Sequence, residues 1–126
     1  MNNDDKEKIK NFYDIYTWQQ AHELVVEIYK ITKTFPKDET YGLISQLRRA
    51  AVSVTSNIAE GFSRKSVKEK AQFYDYARAS ISEIQSQLFV SRDVGYISTE
   101  ECNHLFLKSV SVHKLLNRFM AGLKNL

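Results

Sequence analysis

The residues best equipped for chemistry in this chain stand together at Glu101-Cys102-Asn103-His104. A glutamate three residues before a histidine puts both side chains on one helix face, the spacing from which carboxylate di-metal centres of helical bundles are built. Such a centre takes two copies of that pair plus two further glutamates. Only one copy is present here: Gln19 stands three before His22, and Val110 three before His113. Glu101 also falls where a helix would begin, and a capping role accounts for it. Cys102 and His104, two apart, point to different faces of a helix and make no nucleophile–base pair. Neither a glycine-rich phosphate loop nor a G-x-S-x-G turn occurs. We therefore expect no catalytic residue, no metal site and no cofactor. The expected role is binding or assembly, not turnover of a substrate.

The remaining groups with chemistry to offer are cations. The 126 residues carry 18 Lys and Arg against 15 Asp and Glu, a formal charge of +3. That total says little, but its distribution is uneven. Residues 1–39 hold six Lys against eight acids (net −2), and residues 40–65 hold four cations against Glu60 alone (net +3). Residues 66–96 balance, and residues 97–126 hold four cations against two acids (net +2). Arg48 and Arg49 form one set. Arg64, Lys65, Lys68 and Lys70 form another, at a turn between helical segments. If the segments run antiparallel, that turn shares an end with the last helix, and Lys114, Arg118 and Lys124 should gather near Arg64 and Lys65. Phosphate backbones are drawn to such patches by charge and counterion release, without base readout. Arg48, Arg49, Arg64, Lys65, Lys68, Lys114 and Arg118 are thus the candidate contacts to RNA or DNA. The plainer alternative is a solvated bundle end with weak surface pairs, in a scaffold or adaptor for other proteins. Asn57, Glu60 and Gly61 read as structural: Asn57 hydrogen-bonding across the bundle, Glu60 pairing with a nearby arginine, Gly61 ending its helix. The other reading is that they shape a partner or subunit surface.

What must position these groups is a set of long helices. Four Gly and one Pro are few breakers for so long a chain, which excludes a turn-rich β-sandwich. Trp18, Ala21, Val25, Ile28, Thr32 and Phe35 step by three and four, an apolar helical stripe. Thr17 is placed to cap its start and Pro36 to stop it. A second stripe, Ile44, Leu47, Ala51, Val54 and Ile58, runs within Glu39–Phe62, with Asp38 or Thr40 as N-cap. The small residues Ala50, Ala51, Ser53, Ser56 and Ala59 let a neighbour come close. Ser66-Val67-Lys68-Glu69 opens a third helix as a capping box. Its stripe is Tyr74, Ala77, Ile81, Ile84 and Leu88, widened by Phe73 and Phe89, and Gly95 closes it. Ser98-Thr99-Glu100-Glu101 opens a fourth, with Leu105, Val112, Leu116, Phe119 and Leu123 on one face, Phe106 and Val110 beside it, and Gly122 loosening its end. Connections this short make antiparallel neighbours, so the predicted fold is an all-α, up-down-up-down antiparallel four-helix bundle over residues 17–126, preceded by an N-terminal arm, residues 1–16. The first ten residues are expected to be mobile, with Phe12, Tyr13, Ile15 and Tyr16 packing outside the bundle.

Cys102 is the sole cysteine, which leaves no intrachain disulfide. Met1–Lys10 is polar and charged, unlike a secretory signal, and no run nears the roughly 18 apolar residues of a membrane span. A cytoplasmic protein is expected, without membrane contact.

Four stretches also carry a resemblance: Trp18-Gln19-Gln20-Ala21-His22-Glu23-Leu24, Phe35-Pro36, Gln46-Leu47-Arg48-Arg49-Ala50-Ala51, and Asn57-Ile58-Ala59-Glu60-Gly61-Phe62. With Glu83-Ile84-Gln85-Ser86-Gln87-Leu88 and Asp93-Val94-Gly95-Tyr96-Ile97, they resemble the bacterial four-helix bundle family named for proteins encoded in intervening sequences of 23S ribosomal RNA genes. The match runs from Phe12 to about Leu116 and is most specific from Leu47 to Phe62. Thr55 departs from it, where relatives often carry proline or a small residue. The resemblance implies an up-down bundle that assembles as a ring-like homopentamer. It also implies kinship with the accessory variability determinant of diversity-generating retroelements, a basic pentameric barrel that binds nucleic acid and a reverse transcriptase. It supplies no catalytic residue. A homo-oligomer, RNA or DNA, and a protein partner are the expected associations.

Overall fold

Proline, glycine and short capping side chains divide the chain into four helices. The computed structural model describes residues 9–123; the expectation of a mobile start lies mostly outside them. The helices are α1 (Tyr16–Thr32), α2 (Leu43–Ser63), α3 (Val67–Asp93) and α4 (Thr99–Leu123). Short 3-10 turns at Phe12–Asp14 and Lys37–Glu39 precede α1 and α2.

The caps carry most of the boundary information. At α4 the Ser98 N–H donates to Glu101 Oε1 at 2.8 Å and the Glu101 N–H donates to Ser98 Oγ at 3.0 Å, a complete capping box. At α3 the Glu69 N–H donates to Ser66 Oγ at 3.1 Å. Gly95, with φ +87°, ends α3; the Tyr96 N–H reaches Ser91 O and the Gly95 N–H reaches Arg92 O, a Schellman closure. Two expected caps differ. Thr17 lies buried inside the first turn of α1, whose N-cap is Ile15. The N-cap of α2 is Gly42, not Asp38 or Thr40. The Lys37–Glu39 turn holds the chain out of the helix until Leu43, whose N–H donates to Glu39 Oε1 at 3.1 Å.

Successive helices are antiparallel, and α4 returns beside α1. Among the described residues, close backbone approaches occur between α1 and α2, α2 and α3, α3 and α4, and α1 and α4, and none across the diagonal. The α2–α3 pair packs most extensively, and its small residues explain why. Ala50 and Ala51 are fully buried, and Ser80 Oγ donates to Ser53 Oγ at 2.8 Å between the two helices. Gly61 is the sharpest case. It sits inside α2, not at its end, and a Cβ there would stand 2.5 Å from Tyr74 Cε1. The glycine is needed for close approach of an aromatic ring, not for a turn.

The core is Leu24 and Ile28 of α1, Leu47, Val54 and Ile58 of α2, Tyr74, Ile81, Ile84 and Leu88 of α3, and Cys102, Leu105, Val112 and Leu116 of α4. The α1 stripe is rotated slightly from expectation: Leu24 is wholly buried, while Trp18 and Val25 are half-buried against the core's margin.

Candidate nucleic-acid interface

The antiparallel path fixes two poles. One holds the start of α1, the α2–α3 turn and the end of α4. The other holds the α1–α2 connection and the α3–α4 turn, where Phe35 packs on Tyr96 and the Tyr96 hydroxyl donates to Glu39 Oε2 at 2.8 Å. That hydrogen bond and the Leu43 amide, the larger cause, hold the Glu39 carboxyl below its ordinary range.

The seven candidate cations fall into distinct surroundings. Arg48 lies in the α1–α2 seam. Its Nε donates to Thr32 Oγ1 at 2.9 Å, its Nη2 to Tyr29 O at 3.3 Å, and its guanidinium lies 4.6 Å from the Tyr29 ring centroid. A cation at the C-terminal carbonyls of α1 complements the helix dipole. Arg49 is exposed and stands 3.6 Å from Glu83 of α3, a surface pair of small energetic weight. Arg64 donates to Glu60 Oε1 at 2.9 Å and lies over the Phe73 ring at 4.7 Å. Lys65 and Lys68 are exposed on the α2–α3 turn. Lys114 and Arg118 line a groove of about 390 Å³ between α1 and α4 with Tyr16, Gln20, Ser111 and Leu115. Lys65, Lys68, Lys114 and Arg118 have no carboxylate at ion-pair distance among the described residues.

The turn cations and the α4 cations therefore share a pole but not a side. Arg64 is drawn into the α2–α3 seam, which lies opposite the α4–α1 seam in the ring of helices. Lys124 lies outside the described residues. Lys70, placed with the turn cluster by sequence, instead donates from Nζ to Phe62 O at 2.8 Å and to Gly61 O at 3.3 Å, closing the end of α2.

Of the three residues read as structural, Glu60 pairs with Arg64. Asn57 does not reach across the bundle: its Nδ2 donates to Ser53 O at 2.8 Å and Ser53 Oγ at 3.0 Å, one turn earlier in its own helix. The serine four residues before it offers both acceptors on the same helix face, so the amide stays local. Gly61 does not end α2, as described above.

The α1–α4 seam changes sign along its length. Near the other pole a groove of about 460 Å³ is lined by Glu27, Glu100 and Glu101 against Lys30, with His104 and Leu105. His104 Nε2 stands 2.8 Å from Glu27 Oε1, and Lys108 Nζ donates to Glu23 Oε2 at 2.6 Å midway. No three His, Cys, Asp or Glu among the described residues are grouped to hold a metal ion. Glu101 serves the capping box, and Cys102 is buried with Sγ donating to Leu88 O. No helix among the described residues is long and apolar enough to cross a membrane.

Sequence reasoning named Lys114 and Arg118 but missed Tyr16, Gln20 and Ser111. The signal was available in part: Ser111, Lys114, Leu115 and Arg118 recur at helical spacing along one face, as do Tyr16 and Gln20. That the two faces meet follows only from the return of α4 to α1.

A closed ring of four antiparallel helices, each packed on its two neighbours, defines an all-α four-helix bundle. More particularly, residues 13–118 match the family described as 23S rRNA-intervening sequence protein, and the chain belongs to that family. Among solved structures it is similar to a protein of unknown function from the S23 ribosomal protein family of Bacteroides thetaiotaomicron. The TM-score is 0.74 at 20% identity, over 82% of this chain and 97% of that one, a likeness of fold. No curated protein matches.

Proposed function

We propose that this protein is a non-enzymatic, homo-oligomeric bundle that binds RNA or DNA through charge. The observation that carries the reading is the set of four exposed cations at one pole, Lys65, Lys68, Lys114 and Arg118, left without carboxylate partners among the described residues. Clustered, unpaired cations let a chain of this modest net charge concentrate an anion-attracting field on part of its surface. Arg48 and Arg64 are already engaged in packing and hydrogen bonds, so their contribution is smaller. Affinity for a nucleic acid should fall steeply with salt and depend little on sequence. Titration of RNA over a salt series tests this with wild type, Lys65→Glu/Lys68→Glu, Lys114→Glu/Arg118→Glu and Arg48→Glu/Arg49→Glu. Weakening confined to the last variant would move the site to the flank of α2, and a wild type that binds nothing at low salt would end the reading.

One observation favours a protein-binding scaffold instead. Phe89 and Phe106 stack at 5.2 Å between α3 and α4 with Phe89 38% exposed, and Val90, Val94 and Leu107 are exposed on the same two helices and the turn joining them. These apolar side chains would gain by being covered by another chain. A second copy of this chain serves both readings, whereas a different protein there serves only the scaffold.

A further inference from the structure

We infer that the basic groove between α1 and α4 takes a single-stranded nucleic acid, with a base stacked on Tyr16 and the adjoining phosphates held by Lys114 and Arg118. The inference rests on the nucleic-acid reading above and narrows it to one site and one kind of strand. The groove joins three features. First, its lining contains two cations and no carboxylate, although the same seam is acidic further along. The neighbouring lysine on α4, Lys108, is neutralised by Glu23, whereas Lys114 and Arg118 are not. Second, Tyr16 is 59% exposed at the start of α1, a large ring offered to solvent beside those cations. Third, α1 has neither an acidic residue in its first turn nor a side-chain cap, so its own first turn sets no carboxylate against a phosphate there. Gln20 and Ser111 add a neutral amide and a hydroxyl to the lining, which suit phosphate oxygens or base edges.

The ring decides the kind of strand. In a duplex the bases are stacked on one another and closed to a protein ring, so a duplex gains from the cations alone. A single strand gains from both the cations and a base–aromatic stack, which is tolerant of sequence because every base has a π-face. The groove should therefore prefer single strands while showing little preference among sequences.

The test is fluorescence anisotropy with labelled oligo-uridine and an RNA duplex of the same length, at matched salt. Wild type should bind the single strand more tightly. Tyr16→Ala should weaken single-strand binding on the order of tenfold, leave duplex binding unchanged and keep the slope of log affinity against log salt. Tyr16→Phe should keep the wild-type preference. Lys114→Glu/Arg118→Glu should flatten the salt slope by roughly 0.7 per lost phosphate contact. Tyr16 is exposed, so its variants should keep the wild-type helical circular dichroism. If Tyr16→Ala binds like wild type while Lys65→Glu/Lys68→Glu abolishes binding, this groove is not the site although the nucleic-acid reading survives. If wild type binds neither ligand at low salt, both fall.

Discussion

At the scale of single residues, the contact between Gly61 and Tyr74 is the tightest constraint in the fold. Tyr74 is 1% exposed, and its ring occupies the space a Cβ at position 61 would need. Gly61→Ala should therefore destabilise the protein: overpacking costs about 1–3 kcal/mol, against a gain of up to about 1 kcal/mol from helix propensity. Gly122 lies in open space near the end of α4. Gly122→Ala should leave stability unchanged or raise it by up to about 1 kcal/mol. Urea melts of the two variants, compared with wild type, should thus move to lower midpoint for one and level or higher for the other. Burial also pushes the Tyr74 hydroxyl up to about 12, because the phenolate would lose its water. Its folded value exceeds its unfolded one, so the protonated side chain stabilises fully below the ordinary tyrosine range, near 10. That contribution is lost as pH climbs from there through about 12. Tyr74→Phe has no such group, so the difference in melting temperature between it and wild type should shift in favour of the variant above the tyrosine range. A difference that stays constant with pH would contradict the assignment.

At the scale of the helix, stability comes from stripes that meet at the bundle axis. Leu47 and Ile84 are both wholly buried, on the two helices that pack most extensively. Leu47→Asp and Ile84→Asp each place an unpaired carboxylate there, a cost of several kcal/mol and on the order of a domain's total stability. Neither variant should show a cooperative melt by circular dichroism. Ser98→Ala, by removing one half of the capping box, should cost about 1 kcal/mol. These features were legible in the sequence because caps and three-four spacing are local. The rotation of α1 was not. Ala21 and Ile28 belong equally to a stripe through Leu24 and to one through Val25, and only the positions of α2 and α4 decide between them. Asn57 was misjudged for a related reason: its Ser53 partner was visible at one-turn spacing, but a polar residue beside a core stripe suggests an interhelical bond equally well. The candidate site was half legible. Lys114 and Arg118 stood out by charge, whereas their grouping with Tyr16, rather than with Arg64, depends on which helices are neighbours.

At the scale of the whole molecule, α3, α4 and the turn joining them expose Phe89, Val90, Val94 and Leu107 to solvent, apolar side chains that a second copy of the chain would cover. We expect a homo-oligomer, and a pentamer on the strength of the family resemblance. Multi-angle light scattering of the purified protein at micromolar concentration measures it directly, and a monomer there would exclude both states. A ring of copies would repeat the basic groove in each subunit, and several weak contacts to one strand would then act together.

Because α1 and α4 are neighbours and antiparallel, the start of one and the end of the other lie at the same pole. The order of helices is thus cyclic in space although it is linear in the chain. A circular permutant with a flexible linker between the two ends, opened beside the fully exposed Tyr41, should reach the same bundle. It would forfeit the cap that Glu39 gives Leu43, at about 1 kcal/mol, and leave every helix pair with its present neighbours. Among the four described helices, none is topologically first.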